Sequence, residues 1–452
     1  SDTKGAQYTT VAQIEMDGRI LFDMQKEIMK GHNLESYKLD TVSNYFMRGT
    51  ISNVTTIRVV NESENKKYLK LTTNNKRHLK RGDYITINTY SNAGEMLFMN
   101  GHKFKIDLLD ENDLYLDIVD LSISSRQLKD YLKIEWCLSK DDVPPSEIFR
   151  LHKYGGSQGR AKVGKYCIQD CELCIHLLTA LDILPNNMGM ANVCMVPLNY
   201  IYSRGQGIKV TSVVSKICHD KKTKMPTLLK KKTNHGSFEG AIVLEPSPGM
   251  YLEDPIAVLD FASLYPSCII EKNCSHETQI KDVHYIQKLQ EEKRLDTMCN
   301  RIEYDNYKYV KTSETSQTLK KVKDEENPTT VCYFVKSERD ETGEIVKETM
   351  GILPTVLNHL LSSRKKVKKL MAKEKNGDKK KVLDGLQLAY KVTANSVYGQ
   401  LGAEVGDIFE LSIAASTTSI GREHIYDAKR GVMEWAEKNE KLPPEIIYGD
   451  TV

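Results

Sequence analysis

Ile256-Ala-Val-Leu-Asp260 is an apolar run that stops at a carboxylate, and Phe261-Ala-Ser-Leu-Tyr-Pro-Ser267 follows at once. An unbroken apolar run reads as a strand, which puts Asp260 at a strand tip, where a hard oxygen ligand can meet a divalent cation. The next seven residues add two aromatic rings, two hydroxyls and the chain-stiffening Pro266. One such segment proves little. Two more follow it: Lys391-Val-Thr-Ala-Asn-Ser-Val-Tyr-Gly399 on a helical stretch, and Ile446-Ile-Tyr-Gly-Asp-Thr451 after another apolar run.

Between the first two, periodicity gives a pair of helices. Leu357 to Lys368 is helical, Lys375-Asn-Gly-Asp378 is a turn signal, and Val382 to Asn395 is a second helix. Arg364 and Lys368 stand at i, i+4 on the first, and Lys391, Asn395 and Tyr398 at i, i+4, i+7 on the second, so each helix carries one polar stripe. If the stripes face each other, they bring the cations of both helices together with a neutral donor, Asn395, and the ring of Tyr398. Lys365, Lys366 and Lys369 are expected to point elsewhere, into solvent.

Net charge is only +3, but it is uneven. Arg364 to Lys381 hold ten Lys or Arg against Glu374 and Asp378, inside the helical pair, which favours an anionic ligand over a merely solvated face. A second cluster, Asp220 to Lys232, has six Lys against one Asp, and a floppy loop is an equal reading there. With 452 residues the chain has room for several domains, and its 40% apolar and 28% charged content is that of a globular protein. No run of eighteen apolar residues occurs and Ser1 to Ala6 has no signal core, so neither a membrane span nor a secretory route is expected, which leaves the cytosol or nucleus. Ten scattered cysteines fit a reducing compartment; Cys167, Cys171 and Cys174 fall at helical spacing and read as helix core rather than as a zinc site, which would want a second pair.

The three segments, in this order, resemble motifs A, B and C of the B family DNA polymerases, above all the delta-type cellular enzymes and their relatives in large DNA viruses. The resemblance implies an α/β multidomain fold: a ribonuclease H-like 3′–5′ exonuclease portion, then an α+β palm and helical-hairpin fingers. It implies template-directed DNA synthesis from deoxynucleoside triphosphates, with primer-template DNA and Mg²⁺. A sliding clamp or processivity factor is a further implied partner, and the nucleus or a cytoplasmic viral replication site the implied location. Asp260 and Asp450 become metal-binding catalytic residues. Leu264, Tyr265, Arg364, Lys368, Lys391, Asn395 and Tyr398 become nucleotide contacts, with Tyr265 beneath the sugar, excluding a 2′-hydroxyl. Tyr166 and Asp170, one helical turn apart, match the third exonuclease motif, and Asp170 would share a metal-bound water with Tyr166. Arg204-Gly205-Gln206 matches an element that approaches the template. Gly236 to Pro246, with Gly240, resembles a loop between the two activities, with Phe238 where Tyr is usual. An ordinary turn is the plainer reading of both. Tyr448 and Gly449 of motif C complete the expected DNA contacts.

The same resemblance divides the chain. Residues 1–50 and 136–185 fall in the exonuclease domain, with Asp23 structural and Gly18 to Phe46 a strand and helix. Residues 186–350 are linker and palm with an insertion at 280–350, 351–400 are fingers, and 401–452 return to palm. Period-two alternation marks 51–135 as an all-β insertion, with a hairpin turn between Leu108 and Leu116. A small barrel that touches DNA or a partner and an inert elaboration both remain open. The 280–350 region is polar, with loops expected at Thr312–Thr318 and Lys336–Glu344. Protein-primed polymerases also carry an insertion there, but the Ser-Arg-Gly-Gln element and the fingers are delta-like. Motif C matches the start of Tyr-Gly-Asp-Thr-Asp-Ser, yet Val452 stands where its second Asp is expected and no thumb follows. These residues therefore read as an internal fragment with little activity alone. The rivals are a non-catalytic DNA-binding scaffold and an exonuclease-led repair enzyme.

Overall fold

The computed structural model describes residues 16–451, except 62–63, 78, 119–122, 140–142, 226–236, 253–254, 312–318 and 440–443. The expectations for Ser1 to Ala6, Lys230 to Lys232, Gly236, Thr312–Thr318 and Val452 lie outside those residues. The chain forms two compact units, Ser1–Leu184 and Pro185–Val452.

The first unit is built on alternation. It runs α1 (Met24–Gly31), α2 (Leu39–Phe46), β1 (Arg48–Asn61), β2 (Glu64–Thr73), β3 (Tyr84–Ser91), β4 (Gly94–Leu97), β5 (Phe104–Leu109), β6 (Asp113–Asp117), β7 (Lys133–Ser139), α3 (Pro145–Tyr154) and α4 (Gly156–Ala180). The strands pair antiparallel in the order β3-β5-β6-β2-β1-β7, and β7 returns to β3, so six of them close into a barrel with β4 added as a flap on β3. Alternate residues fill the interior: Leu69, Leu71, Ile85, Ile87, Phe104, Ile106, Leu114 and Leu116 are all buried. Trp136 closes one side, its Nε1 donating to Thr73 Oγ1 at 3.2 Å. A Cβ on Gly49 would lie 2.6 Å from that indole, so the strand can pass only as glycine.

Two expectations change here. Arg19 to Phe22 forms no strand, and Ile20 and Leu21 are exposed. Asp23 is structural, as its carboxylate caps α1 by accepting from Gln25 N at 2.9 Å. Cys167 and Cys171 are exposed rather than core, because α4 buries the face of Leu173 and Leu177.

The second unit runs α5 (Ile183–Cys194, straddling the division), α6 (Leu198–Ser203), α7 (Gln206–Asp220), β8 (Ser237–Phe238), α8 (Leu264–Glu271), β9 (Gln279–Ile280), α9 (Val283–Glu291), α10 (Leu295–Met298), β10 (Cys299–Lys311), β11 (Leu319–Lys323), β12 (Thr329–Val335), α11 (Ile352–Lys373), α12 (Gly377–Leu401) and α13 (Leu411–Lys438). The polar 280–350 region carries an antiparallel sheet, in the order β11-β10-β12-β9, with β8 added to β10. Lys336–Glu344 is a loop, as expected. The helices pack through Val210, Ile269, Val356, Leu357, Val397 and Ile413, all buried.

The strand expected at Ile256 to Asp260 is absent. This segment has no strand partner among the described residues, with Val258 87% and Leu259 77% exposed. Ile446 to Thr451 lies against Ile242 to Ser247, through Ser247 N to Ile447 O at 2.9 Å, Leu244 N to Gly449 O at 2.7 Å and Thr451 N to Ile242 O at 3.1 Å. No described helix is long and apolar enough to cross a membrane.

Candidate active site

The site begins at the start of α11, which is capped from a distance. Gly351 N donates to Asn273 Oδ1 at 2.8 Å, Leu353 N to Ser275 Oγ at 3.2 Å, and Ile352 N to Glu277, so one short segment satisfies three otherwise orphaned donors. A Cβ on Gly351 would lie 2.8 Å from that of Ser275, and this close approach fixes the helix axis. The buried face of α11 carries Leu353, Val356, Leu357, Leu360 and Val367.

Its other face opens on a cleft of about 440 Å³ lined by Arg364, Lys365, Lys368 and Lys369, with Ala262 and Ser263 opposite. Lys365 and Lys369 thus share the cleft instead of pointing away, because residues i, i+1, i+4 and i+5 span one broad helical face. Like charges at i, i+4 destabilise a helix by about 0.2–0.5 kcal/mol per pair, so this clustering does not serve the helix. It serves an anion. Arg364 is steadied by Gln387 of α12, its Nε donating to Gln387 Oε1 at 3.2 Å, and Gln387 Nε2 donates in turn to Asp384 at 3.0 Å. Gln387 has a sequence signal in retrospect, standing one turn before Lys391 on the same stripe. Lys391 and Asn395 are exposed on α12 and do not line the cleft.

Asp260 is exposed and stands two residues before Ala262 of the cleft lining, just ahead of a sharp turn. Ser263 closes the turn in the left-handed region at φ 60° and ψ 61°, a strain of order 1–3 kcal/mol for a residue with a Cβ. That turn sets Ser263 into the cleft and starts α8 at Leu264, which packs against the core. Tyr265 then turns inward. Its ring lies 4.5 Å from that of Tyr398, and its Oη is 3.4 Å from Thr451 Oγ1. Burial pushes both phenols above their ordinary range. Gly421 of α13 makes room, as a Cβ there would meet the Tyr265 ring at 2.9 Å. Three segments far apart in sequence therefore meet at one aromatic side chain.

Asp450 accepts a hydrogen bond from Tyr448 Oη, which holds that phenol's proton more tightly than usual. Gly449 allows Leu244 and Ile425 to close on the turn. Glu239 and Gly240 are held by the largely buried Arg422, whose Nη1 donates to their carbonyls at 3.0 and 2.9 Å, and by Thr418, whose Oγ1 reaches Glu239 O at 3.0 Å. Arg422 was not among the residues read from sequence, although one arginine in an otherwise small and apolar helix face is a signal. Gly205 caps α7, Gln206 begins it, and the exposed Arg204 lies 5.7 Å over the Tyr200 ring. In the first unit, Tyr166 and Asp170 share a half-buried face of α4.

Comparison with known proteins agrees in scale and place. The family model described as DNA polymerase family B matches residues 196–452. The DNA polymerase of Pyramimonas orientalis virus is 35% identical, over 97% of this chain and 35% of that protein. That of Phaeocystis pouchetii virus is 36% identical, over 97% of this chain and 42% of its own length. The DNA polymerase delta catalytic subunit of Candida albicans is 37% identical, over 69% of this chain and 26% of that subunit. The chain thus spans less than half of each of these relatives.

Proposed function

The chain belongs to DNA polymerase family B, and from that membership we propose that the protein carries out template-directed DNA synthesis, with a linked 3′–5′ exonuclease. The observation that carries this reading is the cationic cleft of Arg364, Lys365, Lys368 and Lys369 facing the turn that follows Asp260. A triphosphate needs concentrated positive charge beside the carboxylates that manage the reacting phosphorus, and phosphoryl transfer asks little else of a protein.

In this reading residues 351–400 are fingers, 186–350 and 401–452 are palm, and the helices around the barrel belong to a ribonuclease H-like exonuclease domain. The four cleft cations bind the triphosphate, with Lys391 and Asn395 joining as α12 closes. Tyr265 forms the floor beneath the sugar and Tyr398 supports it. Arg204, Gly205, Gln206, Gly240, Tyr448 and Gly449 approach the primer-template backbone, and Tyr166 with Asp170 serves proofreading. Arg422 acts at one remove, by fixing the Gly240 loop.

Asp260 and Asp450 are hard oxygen donors of the kind Mg²⁺ takes. By residue type these two would hold the ion, although no group of three or more acidic, His or Cys ligands forms among the described residues. Bound there, Mg²⁺ would offset charge on the triphosphate. A sliding clamp as partner, and the nucleus or a viral replication site as location, accompany the proposal.

Asp260→Ala in the full-length protein tests it. Primer extension should fall about a hundredfold or more, since metal clamping supplies several kcal/mol, while DNA binding persists. Undiminished extension would reject the assignment.

A further inference from the structure

The β10–β11 hairpin lies outside every motif that the polymerase reading uses. Its strands pair Tyr307 with Lys323 and Tyr309 with Lys321, which puts all four side chains on one face. Tyr309 is 55% exposed and has no hydrogen-bond or ring partner among the described residues. Lys321 lies 5.1 Å over the Tyr307 ring and donates to Phe238 O, which ties this face to the loop held by Arg422. Lys320, on the opposite face, has no ion pair among the described residues. Among the described residues of the hairpin, carboxylates appear at its base, where Asp305 meets Lys323 at 2.9 Å and Asp324 meets Lys308 at 3.1 Å.

Alternating tyrosines and lysines across two strands are a poor device for stability, because the exposed ring gains nothing from folding. They suit a ligand with both flat faces and phosphates. We propose that this face is a binding platform for single-stranded nucleic acid, with a base stacked on Tyr309 and the backbone drawn along Lys321, while Lys323 stays with Asp305. A duplex is excluded as the occupant because its bases are already stacked and offer Tyr309 no free face. The barrel wall also sets tyrosines beside lysines, at Tyr68, Tyr115 and Lys70. There Tyr68 is 4% exposed and Lys70 is spent on Asp113 at 2.9 Å, so no such platform results.

The inference takes from the polymerase reading only that DNA is at hand. Fluorescence anisotropy with a labelled oligothymidylate, on the full chain, tests it. Tyr309→Ala should weaken binding about tenfold and Tyr309→Phe should restore it, since stacking of one base is worth that order. Lys321→Gln should reduce the slope of log affinity against log salt by about 0.7. Hairpin-duplex DNA of equal charge should bind the Tyr309→Ala and parent proteins alike. Unchanged oligothymidylate binding by Tyr309→Ala, or an equal loss on duplex, would overturn the platform. Asp260→Ala separates the two readings: if it abolishes extension while Tyr309→Ala binds normally, the platform falls and the polymerase stands.

Discussion

The barrel of the first unit and the cleft of the second both carry many cations, and they treat them oppositely. On the barrel wall Lys66 meets Asp107 at 3.5 Å, Lys70 meets Asp113 at 2.9 Å and Lys133 meets Glu135 at 2.7 Å. In the cleft Arg364, Lys365, Lys368 and Lys369 share one helical face with no ion pair among the described residues. Paired surface charge is neutral decoration on a core that holds itself together. Unpaired clustered charge costs the fold something and is kept where a ligand repays it. The difference separates a surface whose charges are mutually paired from one whose charges are not, without any appeal to motif.

If the contrast is sound, the barrel should fail through its core and the cleft through its charges. Trp136→Ala removes a fully buried indole and should cost about 3–5 kcal/mol of stability in the first unit, read as a lower denaturant midpoint at constant slope. A loss under 1 kcal/mol would mean that the barrel is not the rigid body its filled interior implies. Arg364→Ala should leave the melting temperature within a degree or two while costing about 2–4 kcal/mol in kcat/KM for deoxynucleotide incorporation by the full-length protein. A large stability loss with unchanged kinetics would recast Arg364 as the partner of Gln387 and nothing more.

Sequence reading fared best where period and burial agree. The barrel strands were legible because Leu69, Leu71, Ile85 and Ile87 alternate with polar neighbours, and α11 and α12 because their stripes repeat at helical spacing. It failed where an element depends on a distant partner. Ile256 to Asp260 looks like a strand by composition, but a ladder needs a second chain segment, and the motif C segment is engaged by Ile242 to Ser247. The sheet of β10 to β12 was hidden because its exposed faces are polar enough to read as loop. The cleft was half legible: Arg364 and Lys368 stood out by spacing. Lys365, Lys369 and the Ala262–Ser263 wall required the turn at Ser263, which is a left-handed residue that no propensity favours.

The smallest effect probes the decorated side of the contrast. Asp107 accepts from Tyr68 Oη at 2.7 Å and pairs with Lys66 and Arg81, and the Tyr68 hydrogen bond, ahead of the cations, holds its carboxyl below the usual aspartate range. A carboxyl lowered in the folded state adds stability that is fully present above the unfolded value, near 3.9, and is lost as pH falls through the folded one. Asp107→Asn should therefore cost about 1 kcal/mol or less at pH 7, shrink further in high salt, and cost nothing once the pH lies below the folded value. Chemical denaturation of parent and variant at pH 7 and in acid, each at two ionic strengths, gives the answer. A penalty that persists unchanged in acid would show that Asp107 acts through shape and not charge. One as large as the Arg364 effect would erase the distinction between the two surfaces.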